Sequence, residues 1–229
     1  MECDMPPDNK AFNSDPKVCE EILKIKDFFG VRCVIETGSY EGNTTLFFGQ
    51  NFDQVYSVEI SEHFFNISSK RCASNLNVSI HQGSSERFLA ELLPTLKDRY
   101  ENVLFYLDAH WENYWPLKDE IVEISKYYKN RAIIIVDDFY VPNRGFQFDS
   151  YNGRRCDFAF IEKEIDMCFD NGLYFFYYLN STGRKIPIRD GRVDGVGKVF
   201  ILPRCLLDKH NVQLGLLCRK ENDVWYSLL

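Results

Sequence analysis

Apolar residues along the chain come in short runs separated by polar stretches, and the period of those runs alternates between that of a helix and that of a strand. Asp15-Pro16 is a helix-start signal, and Val18, Ile22, Ile25, Phe28 and Phe29 follow at helical spacing until Gly30 stops the run. Short apolar segments rich in β-branched and aromatic residues predict strands over 32–37, 54–60, 77–82, 102–108 and 131–137. Helical patterns fill the gaps at 44–50, 62–74, 85–98 and 116–129. Beyond the fifth strand come a polar and aromatic loop over 140–155, a helix near 157–169, and two further strands over 173–179 and 197–202. Strands that alternate with helices imply right-handed crossovers and a parallel sheet covered on both faces. The expectation is an α/β protein with a doubly wound, mostly parallel seven-stranded sheet. The two late strands, joined through Gly183, Gly191 and Gly195, form its antiparallel closing hairpin.

Size and composition narrow the function classes. A chain of 229 residues with 45% hydrophobic content can bury one large core, so a single domain over 1–229 is expected. No run reaches the eighteen apolar residues of a membrane span, and neither a signal peptide nor an anchor is expected. Eight cysteines (Cys3, Cys19, Cys33, Cys72, Cys156, Cys168, Cys205, Cys218) lack any C-x-x-C pair and read as buried reduced thiols. Of four N-x-[ST] sequons, at Asn43, Asn66, Asn77 and Asn180, the first lies in a glycine loop that would not tolerate a glycan. Thiols and sequon together point to a cytoplasmic chain. The net charge of −7 disfavours a nucleic-acid footprint. The basic clusters Arg154-Arg155 and Arg184-Lys185 are ordinary loop charge or a site for a small anionic group.

In an open sheet of this kind, ligands bind at the carboxyl ends of the strands, where strand order reverses. The loop after the first strand runs from Glu36 through Gly38, Ser39, Gly42 and Thr44 to Thr45, with its glycines four apart. The dinucleotide fingerprint spaces them differently, and a glutamate at the strand end repels a phosphate while suiting a cationic ligand. Glu59 ends the second strand about twenty residues on, where a carboxylate accepts hydrogen bonds from both ribose hydroxyls. Ser84 and Ser85 open the helix after the third strand, and either cap it or meet a ligand edge. Asp108 ends the fourth strand, followed by His110 and Trp111, and Asp137-Asp138 end the fifth. Three carboxylates at adjacent strand ends call for a cation, a proton or solvent between them.

These motifs resemble the class I S-adenosylmethionine-dependent methyltransferases, whose Rossmann-like fold opens with an acidic residue followed by G-x-x-x-G. The match runs over residues 32 to about 140. It implies a helical segment over 1–30, a cofactor-binding half over 31–140, and a substrate loop, closing strands and tail over 141–229. By that resemblance Glu36, Gly38, Ser39, Gly42 and Thr44 serve the methionine part of S-adenosylmethionine. Glu59 serves the ribose, and Ser84, Ser85 and Asp108 complete the cofactor site. Within the class the chain is similar to the catechol- and macrocin-type O-methyltransferases, which implies Asp108, Asp137 and Asp138 as ligands of a magnesium ion. Trp111 falls where the catechol enzymes carry their catalytic lysine, so His110 is the candidate general base beside Asp108; it could instead bind the metal, contact the adenine or pack. The implied acceptor is a hydroxyl of a small polyhydroxylated molecule, a sugar or glycan, with Trp111, Tyr114, Trp115, Tyr140, Phe146, Phe148 and Tyr151 as an aromatic lid. A non-catalytic partner module of the same fold and a nicotinamide oxidoreductase are the alternatives. The tail, with Val212, Leu214, Leu216 and Leu217 apolar, packs on the sheet or on a second subunit of a homodimer.

Overall fold

A computed structural model describes residues 10–110, 114–170, 174–178, 186–188, 191–193, 195–204, 217–221 and 224–227. A tight turn at Ala11–Ser14 leads into α1 (Pro16–Phe29), β1 (Cys33–Thr37), α2 (Asn43–Asn51), β2 (Gln54–Glu59), α3 (Glu62–Cys72) and β3 (Val78–Gln82). Then come α4 (Ser85–Leu96), β4 (Val103–Leu107), α5 (Leu117–Tyr127) and β5 (Ala132–Val136). The remainder comprises β6 (Ser150–Tyr151), β7 (Arg154–Arg155), α6 (Phe158–Cys168), β8 (Tyr174–Tyr178), β9 (Ile186–Ile188), β10 (Gly191–Val193), β11 (Val199–Pro203), β12 (Leu217–Glu221) and β13 (Val224–Ser227).

Local chemistry sets the boundaries. The Asp15 side chain accepts a hydrogen bond from Lys17 N at 3.0 Å, Pro16 fills the first helical position of α1, and Gly30 ends the helix at φ +60°. Strands β1, β4, β5 and β11 are buried at every position, which their unbroken apolar runs require of a sheet covered on both faces. Successive residues point to opposite faces. Cys33, Ile35, Phe105, Ile134 and Ile201 pack with Leu89 and Leu93 of α4, Ile121 and Ile124 of α5, and Ile161 and Ile165 of α6. Val34, Leu104, Tyr106, Ile133 and Phe200 pack with Ile22 and Ile25 of α1 and Phe47 and Phe48 of α2. Each fully buried aliphatic or phenyl side chain contributes roughly 1.5–3 kcal/mol.

The sheet order is β13-β12-β8-β11-β5-β4-β1-β2-β3. The five early strands pair in parallel, and β11 inserts antiparallel between β5 and β8 as the closing hairpin. The seven expected strands are present, and β12 and β13 from the tail extend the β8 edge to nine. Val212, Leu214, Leu216 and the cluster Arg184-Lys185 lie outside the described residues. The cysteines whose side chains are described (Cys19, Cys33, Cys72, Cys156, Cys168) are buried and unbridged. Among the described residues no helix is long and apolar enough to cross a membrane.

Candidate active site

Strand order reverses between β1 and β4, and there the ends of the two strands come together: Asp108 N donates to Thr37 O at 3.0 Å. The chain then turns at Gly38 with φ +82°, where an added Cβ would meet Asp108 O at 2.5 Å. Only glycine combines that backbone with that approach. Gly42 is held likewise, at φ +78° as N-cap of α2, with a Cβ 2.9 Å from Ser68 Cα. Between them Ser39 is buried and its hydroxyl donates to Ser68 Oγ at 3.0 Å.

Over this crossing opens a cleft of about 370 Å³. One end is walled by Gly38, Tyr40, Glu59, Phe64, Ser84 and Ser85, and the other by Asp108, His110, Asp137 and Asp138, with Asn13 and Tyr114 also on its wall. Glu59 is held by two backbone amides, Tyr40 N at 2.8 Å on Oε2 and Ser61 N at 2.9 Å on Oε1, so its orientation is fixed while each oxygen keeps a lone pair for a ligand. Tyr40, exposed and at φ +46°, lies against Phe64 with ring centroids 4.2 Å apart.

Glu36, Ser39, Gly42 and Thr44 do not line the cleft. Glu36 is buried beneath the loop, where its Oε2 accepts from Thr45 Oγ1 at 2.5 Å and Ser57 Oγ at 2.6 Å while Oε1 has no partner. Burial pushes its carboxyl up to about 7, opposed by those hydroxyls. The Thr44 hydroxyl accepts from Phe12 N at 3.3 Å. These four shape the loop from behind, and Gly38 is the residue of the loop's expected set that reaches the cavity.

Four carboxylates, an ammonium and an imidazole gather at the other end. Burial, then the charges of Asp137 and Asp138, hold the Asp108 carboxyl well above its ordinary range, with Lys198 opposing. Burial, then Asp137 and Asp149, pushes Asp138 up to about 8. Asp137 is engaged by three donors. Lys198 Nζ is 2.5 Å from Oδ1, Asp138 N donates to the same oxygen at 2.8 Å, and the Tyr106 hydroxyl donates to Oδ2. Burial disfavours the charge on Lys198, yet Asp137 outweighs it and the ammonium is held above its ordinary value. His110 is half exposed, its Nε2 3.6 Å from Asp138 Oδ2 and its Nδ1 3.2 Å from Asp149 Oδ2. Ligand atoms of Asp108, His110 and Asp138 all lie within 4.8 Å of one another, a group able to hold a metal ion. The structure therefore departs from the expected set of Asp108, Asp137 and Asp138: Asp137 is turned into an ion pair, and His110 stands with the other two.

Lys198, Tyr106, Asp149, Tyr40, Phe64 and Asn13 were not legible as site residues. Lys198 alone carried a signal, a charge directly ahead of the apolar run of β11. The expected aromatic lid is folded differently. Trp115 stacks on Phe160 at 4.7 Å, Tyr140 meets Phe148 edge-on at 5.0 Å, and Phe146 is buried. Tyr114 alone of the lid residues lines the cleft among the described residues, and Trp111 lies outside them. Arg155 is engaged internally, over the Tyr140 ring at 4.1 Å and 3.2 Å from Asp157.

This sheet order, with β11 inserted antiparallel between β5 and β8 and a cleft at the β1/β4 switch, is the fold of solved S-adenosylmethionine-dependent methyltransferases. An O-methyltransferase from Bacillus cereus in complex with SAH has the same fold at 16% identity and a TM-score of 0.55, over 84% of this chain and 83% of that one. So does the O-methyltransferase TomG from Streptomyces achromogenes, involved in tomaymycin synthesis and solved in complex with SAM, at 14% identity and a TM-score of 0.54, over 84% and 82%. Precorrin 8w decarboxylase from Methanobacterium thermoautotrophicum is similar as well, at 16% identity and a TM-score of 0.52, over 86% and 98%. The fold thus does not by itself fix the reaction. No protein-family model and no curated protein matches the sequence.

Proposed function

We propose that the chain is an S-adenosylmethionine-dependent O-methyltransferase that acts on a hydroxyl of a small polyhydroxylated acceptor, a sugar or glycan, with the aid of a divalent cation. The observation that carries this reading is one cavity with two chemically different ends, Glu59 with Ser84 and Ser85 at one and Asp108, Asp138 and His110 at the other. The solved relatives in complex with SAM or SAH support the cofactor. The sugar follows from the likeness to macrocin-type enzymes. Buried, unbridged cysteines support a cytoplasmic setting.

The fixed Glu59 carboxylate accepts from both ribose hydroxyls, and Ser84 and Ser85 at the start of α4 meet the edge of the base. Bare backbone at Gly38 lets the ligand approach the crossing of β1 and β4. S-adenosylmethionine held there would supply a sulfonium methyl group to an acceptor oxygen, a C–O bond forming as the C–S bond breaks and S-adenosylhomocysteine leaves. The carboxylate and imidazole cluster positions that oxygen and receives its proton, so positioning and activation are the protein's contribution. A dication held there would lower the hydroxyl pKa.

The test is transfer of a labelled methyl group from S-adenosylmethionine to a panel of glycans and phenols, with and without a chelator. Label on a glycan hydroxyl that fades on chelation is the expected result. Label on nitrogen, or transfer indifferent to chelation, would refute the acceptor chemistry or the cation respectively.

A further inference from the structure

We infer that the cation site of this cleft consists of Asp108, His110 and Asp138, without Asp137, and that it takes a transition metal such as manganese(II), cobalt(II) or zinc(II) in preference to magnesium. The use of that cation rests on the methyl-transfer reading; its binding does not.

The first ground is the state of Asp137. Two donors sit on Oδ1 and a hydroxyl on Oδ2, so Asp137 is already paired with a buried ammonium and has one Oδ2 lone pair left, against two open carboxylates at Asp108 and Asp138. That ammonium is 4% exposed and has no water to retreat to. Lys198 is thus a built-in cation paired directly with Asp137, and it offsets Asp108 and Asp138 only at longer range.

The second ground is the imidazole. The ligand atoms of Asp108, His110 and Asp138 all lie within 4.8 Å of one another, and an ion about 2.1 Å from each would draw them together. His110 Nδ1 faces Asp149, from the loop after β5, at 3.2 Å, and this leaves Nε2 toward Asp138. A carboxylate on the far nitrogen of a ligating histidine fixes its tautomer and raises its basicity, and such an outer partner is worth roughly 10–100-fold in metal affinity. Magnesium favours oxygen ligands, whereas imidazole suits the later divalent metals.

The test is calorimetric titration of the full chain, stripped by chelator, with cobalt(II), manganese(II) and magnesium chlorides, for wild type, His110→Ala, His110→Asp and Asp149→Asn. Melting temperatures close to wild type check folding, which the half-exposed position of His110 favours. The wild type is expected to bind one cobalt(II) per chain, with affinity reduced roughly tenfold or more in H110A and roughly tenfold in D149N. H110D, an all-oxygen set, is expected to gain magnesium affinity relative to cobalt(II). The bound cobalt(II) absorption spectrum should change in H110A. Equal cobalt(II) affinity and spectrum in wild type and H110A, or magnesium bound by the wild type as tightly as cobalt(II), would overturn the assignment. Metal binding as expected without methyl transfer to any acceptor would count against the proposed function alone.

Discussion

Gly38 and Glu120 show how much single positions carry. Alanine at Gly38 would combine a left-handed backbone with a contact at 2.5 Å to Asp108 O. G38A is expected to lose about 2 kcal/mol or more of stability in chemical denaturation and to weaken S-adenosylhomocysteine binding. Glu120 is fully buried, and burial pushes its carboxyl from 4.5 to about 7, with the Ser85 and Thr37 hydroxyls opposing. Below pH 4.5 both folded and unfolded chains keep this proton; between 4.5 and about 7 the unfolded chain releases it while the folded chain holds it. Stability from this group therefore falls as pH rises through that window, by on the order of 3 kcal/mol. Denaturation curves at pH 5 and pH 8 should show E120Q gaining on wild type at the higher pH; an identical difference at both would refute this. In the sequence these residues differ in legibility. The glycine spacing marked Gly38 as a turn, whereas nothing in the helical pattern around Glu120 distinguishes it from a surface glutamate, because its burial comes from α4 packing alongside α5.

Among the elements, the turn at Ala11–Ser14 ties the segment ahead of α1 to the site. Phe12, Asn13 and Ser14 all have positive φ, at 51°, 57° and 62°, an arrangement that side-chain packing must sustain. Phe12 supplies it, packed edge-on against Phe47, Phe48 and Tyr106 with centroids 5.2 to 5.6 Å apart, and its N–H donates to Thr44 at the start of α2. Asn13 is thereby held on the wall of the cleft. F12A is expected to cost about 3–5 kcal/mol and to weaken cofactor binding, whereas N13G, which keeps the left-handed backbone accessible, should cost no more than about 1 kcal/mol and act chiefly on binding. Equal loss of stability in both variants would contradict this division. Helix α1 was legible because its Asp-Pro start and Gly stop are local signals. The turn before it was not, since its conformation depends on an aromatic cluster assembled from α2 and β4. The loop over 140–155 illustrates the same limit: its aromatic content was plain, but Tyr140, Phe146 and Phe148 satisfy one another or the core instead of facing the cleft.

At the scale of the molecule, the alternation of apolar runs foretold the parallel strands, both helix layers and the edge of the sheet where the cleft opens. Burial on both faces leaves so plain a mark on β1, β4 and β5 that little else fits their sequence. The long-range pairing of the tail strands with β8 and the reach of Lys198 from β11 to Asp137 were hidden, because both depend on which strand β11 settles beside. Those pairings divide three equivalent-looking aspartates into one paired with Lys198 and two beside His110. The opposite end of the cleft rests on Glu59, and the central claim is that this end holds an S-adenosyl nucleoside. Calorimetric titration of the full chain with S-adenosylhomocysteine and with NAD, for wild type and Glu59→Ala, tests it most directly. The account predicts one S-adenosylhomocysteine per chain, bound roughly tenfold or more weakly by E59A, and no heat with NAD. Binding of NAD without S-adenosylhomocysteine, or E59A binding the latter as tightly as wild type, would contradict it.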